Sequence, residues 1–260
     1  MAVCTTEEAI EQIRNGRTII LVDDAGEDSE GFLCAAAEKI TPEAINFMLL
    51  YGRGLVCLGL TEERMKHLGI PLMVQESGSA VGNLFGASIS VRGDAGSGAS
   101  AMSRARTIQT VVAKGTKRGD LMVPGQVFPV QARNGGVLVR FGHVEASVDL
   151  ARLAGLEPSG VLCQILQDDG SVALMPYLGE LAQKHNLRIA AISDLIACRL
   201  HTECLVERIA EEEFPTIDGG MYKAIVYRNN VDSHKHMALV KSEIRADESV
   251  LVRMHSECLT

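Results

Sequence analysis

An apolar run, Thr18-Ile19-Ile20-Leu21-Val22, passes without a break into Asp23-Asp24-Ala25-Gly26-Glu27-Asp28-Ser29-Glu30-Gly31-Phe32, where five carboxylates fall within eight residues. A short, unbroken aliphatic run of this kind reads as a strand buried on both faces. Its far end must come to a surface, because unpaired carboxylates cannot be carried into a core. The chain is thereby committed to a covered sheet with an acidic loop at one end of its strands. Such a loop suits a hard cation; the plain alternative is a solvated acidic turn.

The neighbouring segments alternate between strand and helix signals. Thr5-Thr6-Glu7-Glu8 offers a capping box for a helix running to about Asn15, with Gly16 as its stop. Thr41 caps and Pro42 starts a second helix, in which Ile45, Met48 and Leu49 recur at helical spacing and Gly52 marks the end. Leu55–Leu60 and Gly160–Leu166 read as strands, and Asp169-Gly170 as a hairpin turn. Ser100 caps a helix through about Ala113, which places Ser103 and Arg104 in a first turn whose exposed amides favour an anion. A helix over Glu145–Ala154 puts His143 at a strand-to-helix junction. These elements give an α/β (α+β layered) domain over residues 1–204, followed by a short β-rich appendage over 205–260.

At 260 residues the chain can bury one large core, and 47% hydrophobic with 22% charged residues describes a globular protein. A net charge of −8 without a basic stripe argues against nucleic-acid or anionic-membrane binding. No apolar run reaches the roughly 18 residues of a membrane helix, and Met1-Ala2-Val3-Cys4 lacks a signal pattern, so a cytoplasmic setting is expected. Seven cysteines without a C-x-x-C pair read as free thiols, with Cys57 and Cys163 in the core.

The acidic loop, together with Gly52-Arg53-Gly54-Leu55-Val56-Cys57, Pro124-Gly125-Gln126-Val127-Phe128-Pro129, Gly142-His143-Val144-Glu145-Ala146 and Asp149-Leu150-Ala151-Arg152-Leu153-Ala154-Gly155, resembles the 3,4-dihydroxy-2-butanone 4-phosphate synthase family. The resemblance implies that family's fold, a homodimer with sites near the subunit interface, a divalent cation (magnesium or manganese), and conversion of ribulose 5-phosphate to a four-carbon ketone phosphate and formate. From Val206 onward the chain resembles the opening of GTP cyclohydrolase II. It stops before that family's zinc-binding cysteines, so neither zinc nor GTP hydrolysis is expected.

Several positions depart from the family's pattern. Glu27 stands where the family has arginine, Asp28 where it has a metal-binding glutamate, Ser29 where it has asparagine, and Phe32 where it has a catalytic aspartate. Val123 and Gln126 replace an arginine and a histidine, Ser103 replaces an aspartate, Phe141 a glycine, Val144 a threonine, and Gln164 a catalytic glutamate. Glu30, Arg140 and His143 match. Each missing acid or base of this kind costs about 10²–10⁴ in rate.

The replacements favour a less charged ligand, and the expectation drawn from them is a repurposed enzyme acting on a carbonyl or hydroxyketone-type substrate in specialised metabolism. Asp28 and His143 would hold a metal, with Glu27 or Glu30 as acid or base. Arg140 would meet an anionic group, and Ser97, Ser100, Ser103, Gln126 and Gln164 would orient the substrate between Phe32 and Phe141. Two alternatives stand beside this: a non-catalytic paralogue that binds a ligand or partner subunit, and retained synthase activity.

Overall fold

Thr5 and Glu8 close a reciprocal cap on α1 (Thr6–Arg14): Thr5 Oγ1 accepts from the Glu8 N–H at 3.2 Å, and the Glu8 carboxylate accepts from the Thr5 N–H at 3.3 Å. The computed structural model describes residues 3–74, 82–93, 98–215, 220–231, 234–245 and 247–255. Ala9 and Ile13 bury one face of α1. The apolar run then forms β1 (Ile19–Val22), buried along its whole length, and the chain returns antiparallel as β2 (Gly31–Ala36).

Thr41 caps α2 (Pro42–Phe47), whose continuation Met48–Gly52 widens to a π-helical turn before β3 (Arg53–Leu60). There follow α3 (Glu62–His67), β4 (Leu84–Phe85), β5 (Ile89–Val91) and α4 (Ala101–Val112), the last capped by Ser100. The unit is completed by β6 (Leu121–Gln131), α5 (His143–Leu153), β7 (Ser159–Ile165), α6 (Met175–His185), β8 (Ile189–Ala191) and α7 (Ile192–Thr202). One correction concerns α5, which begins at His143 and is preceded by a 3-10 turn, Gly136–Leu138, instead of a strand.

The main sheet runs β4-β6-β3-β7-β2-β1-β8, with β5 paired to β6. Strand alternation sorts its side chains into two apolar layers. Ile20, Val22, Leu33, Val161 and Cys163 pack with residues of α2, α4 and α6, whereas Ile19, Leu21, Cys34 and Leu162 pack with α1, α5 and α7. Burial on both faces explains why these strands are continuously apolar.

The placement of α5 rests on two small residues. Gly59 and Gly160 are cross-strand partners in β3 and β7 beneath the helix. A Cβ at Gly160 would stand 2.5 Å from Ser147 Oγ, and one at Gly59 3.0 Å from the same atom. Only glycine at these positions lets α5 approach closely enough to bring its N-terminus over the sheet.

Buried charge fastens the same helix at its other side. Arg199 of α7 donates to Asp149 Oδ2 at 2.6 Å, to the Gly135 carbonyl at 2.9 Å and to Glu203 at 2.8 and 2.9 Å. Asp149 also accepts from the Val137 N–H at 2.9 Å. The Arg199 guanidinium holds the Glu203 carboxyl down to about 2, while burial pushes Asp149 up.

Met1–Glu203 and Cys204–Thr260 are two compact units. The second is an antiparallel sheet ordered β11-β10-β9, from β9 (Val206–Pro215), β10 (Met221–Asn229) and β11 (Lys235–Val240). A β-bulge between Val226 and Tyr227 shifts the β9 register.

Candidate active site

The acidic loop folds on its own side chains. Asp24 Oδ1 accepts from the Gly26 N–H at 2.6 Å and from the Ser29 hydroxyl at 2.8 Å, and these bonds hold the Asp24 carboxyl below its ordinary range. Ser29 is buried by this turn, while Glu27, Asp28 and Glu30 stay exposed. The chain then enters β2, where Phe32 sits directly across from Gln164 of β7. The Gln164 amide reaches back along this edge and donates from Nε2 to Glu30 Oε2 at 2.9 Å.

Phe32 and His143 meet from opposite directions, one from the sheet and one from the first residue of α5, with ring centroids 4.0 Å apart and planes tilted by 35°. The imidazole is hydrogen-bonded to the Leu21 backbone, and its Nδ1 lies 3.8 Å from Asp23 Oδ1. Burial, and secondarily the positive charge of Arg140, pull His143 down to about 4. Burial, then Glu30 and Asp24, push Asp23 up. With the imidazole neutral at neutral pH, the Asp23 contact is not an ion pair there. His143 Nε2 is buried without a hydrogen-bond partner among the described residues.

Arg140 is tied into the protein. It donates from Nη1 to Glu145 Oε2 at 2.7 Å and from Nη2 to Asn83 Oδ1 at 2.8 Å. Glu145 is fully buried and also accepts from the Arg133 N–H at 3.0 Å. The charge expected to meet an anionic ligand is thus met first by Glu145. Phe141, next along the chain, is 52% exposed.

A second group gathers at the start of α4, the helix packed against α2 and β5. Ser100 Oγ accepts from the Ser103 N–H at 3.1 Å and donates to Ser103 Oγ at 3.0 Å. Ser103 is buried, and Arg104 Nε donates to the Ala99 carbonyl at 3.0 Å. The Gln126 N–H donates to Ser90 Oγ at 3.1 Å. Ser97 lies outside the described residues. The positive charge of Arg104 reaches Cys163, the neighbour of Gln164, where it partly offsets the burial that raises the thiol to about 11.

The structure therefore joins Glu30, Phe32, His143 and Gln164, and places Ser100 and Ser103 in a separate cluster. Two participants escaped the reading of the sequence. Asp23 faces His143 because it is the first residue after β1, a position that by itself pointed to the strand end. Glu145, the buried partner of Arg140, was visible only as an acidic residue in the first turn of a helix.

The donor chemistry suits a hard divalent cation in type: exposed loop carboxylates and one neutral imidazole nitrogen with a free lone pair. The groups are not gathered into a ready cluster. Among the described residues no set of three or more His, Cys, Asp or Glu side chains is arranged to hold a metal ion.

Comparison with known proteins adds the ancestry. The family model for 3,4-dihydroxy-2-butanone 4-phosphate synthase matches residues 7–198, and that for GTP cyclohydrolase II matches residues 207–260. The riboflavin biosynthesis protein RibBA of Aquifex aeolicus is 51% identical over 258 residues, which is 98% of this chain and 63% of that protein. The 3,4-dihydroxy-2-butanone 4-phosphate synthase of Pseudomonas aeruginosa is 46% identical over 256 residues, 98% of this chain and 70% of that protein. The chain thus spans about two thirds of the length of these relatives.

Among solved structures, RibBX of A. baumannii, a two-domain 3,4-dihydroxy-2-butanone 4-phosphate synthase, superposes with a TM-score of 0.82 at 44% identity, over 92% of this chain and 70% of that one. A synthase in complex with two magnesium ions gives 0.72 at 30% identity, over 76% of this chain and 98% of that one. Sequence, fold and the match over residues 7–198 agree: this chain belongs to the 3,4-dihydroxy-2-butanone 4-phosphate synthase family.

Proposed function

We propose that the chain acts at this site on a small ketose phosphate of the ribulose 5-phosphate class, as a lyase of the synthase type. The observation that carries the reading is identity of 46–51%, running through 98% of the chain, to proteins named for that synthase and for riboflavin biosynthesis. This favours retained chemistry over the repurposed enzyme that the departures alone led us to expect. Glu30 and His143 keep the frame. Neutral His143 offers a lone pair at Nε2 to accept a proton or a ligand, and Glu30, oriented by Gln164, offers a carboxylate at the open end of the strands.

Asp28 and His143 are the residues that would hold a divalent cation, magnesium by analogy with the neighbour that contains two such ions. When bound, it would supply Lewis-acid stabilisation of negative charge on substrate oxygens.

The departures limit the rate. Phe32, Gln126 and Gln164 can neither take up nor release a proton in the relevant range, and each missing acid or base slows a multistep proton-transfer reaction by about 10²–10⁴. A second reading, chemistry on a less charged substrate, is favoured by one observation. The Phe32–His143 contact puts an apolar ring where the family carries a carboxylate.

One assay separates the two: formate release from ribulose 5-phosphate with magnesium, for the native chain and for Phe32→Asp combined with Gln126→His and Gln164→Glu. Formate from the native chain, rising by orders of magnitude in the triple variant, supports the first reading. No formate from the native chain, at any magnesium concentration, rejects it in favour of the second.

A further inference from the structure

Three irregularities of backbone geometry fall within nine residues, Met48 to Val56. The end of the second helix widens into a π turn over Met48–Gly52. Arg53 then takes φ 65°, a left-handed conformation that a non-glycine residue adopts only when its surroundings enforce it. Between Arg53 and Val56 the β3 register slips against β7, whose partners are Ile165 and Cys163, so that Gly54 and Leu55 together oppose the single residue Gln164. Bulges and π turns concentrate where a side chain has to be aimed.

The packing shows what is aimed. A Cβ on Gly54 would stand 2.5 Å from the Gln164 carbonyl oxygen, so the bulge is seated directly on the Gln164 backbone. The Cys163 thiol lies 3.5 Å from the Met48 carbonyl and 3.3 Å from that of Gly54, within donating distance of oxygens at both irregularities. Arg53 closes the arrangement. Its Nη1 donates to the Leu166 carbonyl at 2.8 Å and lies 3.4 Å from the Tyr177 hydroxyl, and its Nη2 pairs with Asp168. The Asp168 carboxylate is 86% exposed, so this ion pair adds little to stability. It does fix the segment immediately after Gln164, while the bulge fixes the segment opposite.

We infer that Arg53 is a positioning residue: by clamping the Leu166–Asp168 turn across the bulge, it holds Gln164 so that its amide meets Glu30. The inference rests on the reading that Glu30 and Gln164 belong to the working site, and it concerns how that pair is set.

The test follows the side-chain amide signals of ¹⁵N-labelled full-length protein, with the Gln164 pair assigned by its loss in Gln164→Glu. Arg53→Gly keeps the left-handed backbone and removes the guanidinium, while Arg53→Lys keeps a charge but not the fork that reaches Leu166 and Asp168 together. In Arg53→Gly the Gln164 amide is expected to shift and to exchange with solvent about tenfold faster, the factor that accompanies loss of one ordinary hydrogen bond. Arg53→Lys should fall between, with the Gln109 amide, bonded to the Ile40 carbonyl at 2.8 Å, unmoved in both. A merely structural role would lower the melting temperature and leave the Gln164 signal in place, and that result overturns the inference. Failure of the proposed function shows separately, as absence of formate from the unmodified protein.

Discussion

Phe32 lies against His143 with ring centroids 4.0 Å apart, and this contact joins the first turn of a helix to a strand 111 positions earlier in the chain. It sets the character of the site, because an apolar ring beside a buried imidazole deepens the burial that keeps that imidazole neutral. Phe32→Asp replaces the ring with a carboxylate that favours the charged form. The His143 pKa is expected to rise from about 4 toward its ordinary 6.5, as followed by the imidazole C–H resonances. An unmoved His143 titration would contradict the assignment of Phe32 as its neighbour.

His143 also makes stability depend on pH. Its folded pKa lies below its ordinary value, so the unfolded chain takes up the proton first as pH falls. The folded state is fully favoured above about 6.5 and loses ground down to about 4, by up to about 3 kcal/mol for this residue alone. Urea unfolding at pH 7 and pH 5 measures the difference. His143→Gln should flatten the profile in that window.

Arg199 is the cation of a buried pair, and removing one partner leaves the other charge buried. Arg199→Met should cost about 3–5 kcal/mol, because Asp149 then loses its 2.6 Å partner. Asp149→Leu added to Arg199→Met is expected to recover much of that loss, a coupling that a double-mutant cycle in denaturant would reveal.

Gly160→Ala tests the seat of α5. The new methyl group meets Ser147, and the overpacking should cost about 1–3 kcal/mol. Ser147→Gly in the same chain should relieve the clash and return part of the stability, read as a rise in the melting temperature.

Local chemistry was legible in the sequence. The Thr5–Glu8 box and the Thr41 and Ser100 caps express forces acting within a few residues, and each emerged where the pattern placed it. The family was legible for a related reason, since its motifs are short and ordered. What joins distant segments was not. The π turn, the left-handed Arg53 and the Arg199–Asp149 pair depend on partners far along the chain, and no local preference announces them.

The start of α5 was missed by two residues because its N-cap is Gly142, which has no side chain to announce the cap. From the resemblance, Phe32, Gln126 and Gln164 were expected to stand where the family carries chargeable groups. Their weight was read as a change of substrate, whereas the close similarity along the whole chain favours the older chemistry.

The glycine pair under α5 has a consequence for how this protein tolerates change. Helix and sheet are registered from below, where the Ser147 side chain sits on two residues that carry none, so the seat of α5 is set apart from the contacts at its rim. A scaffold of that kind keeps the position of a helix start independent of the chemistry carried at its rim.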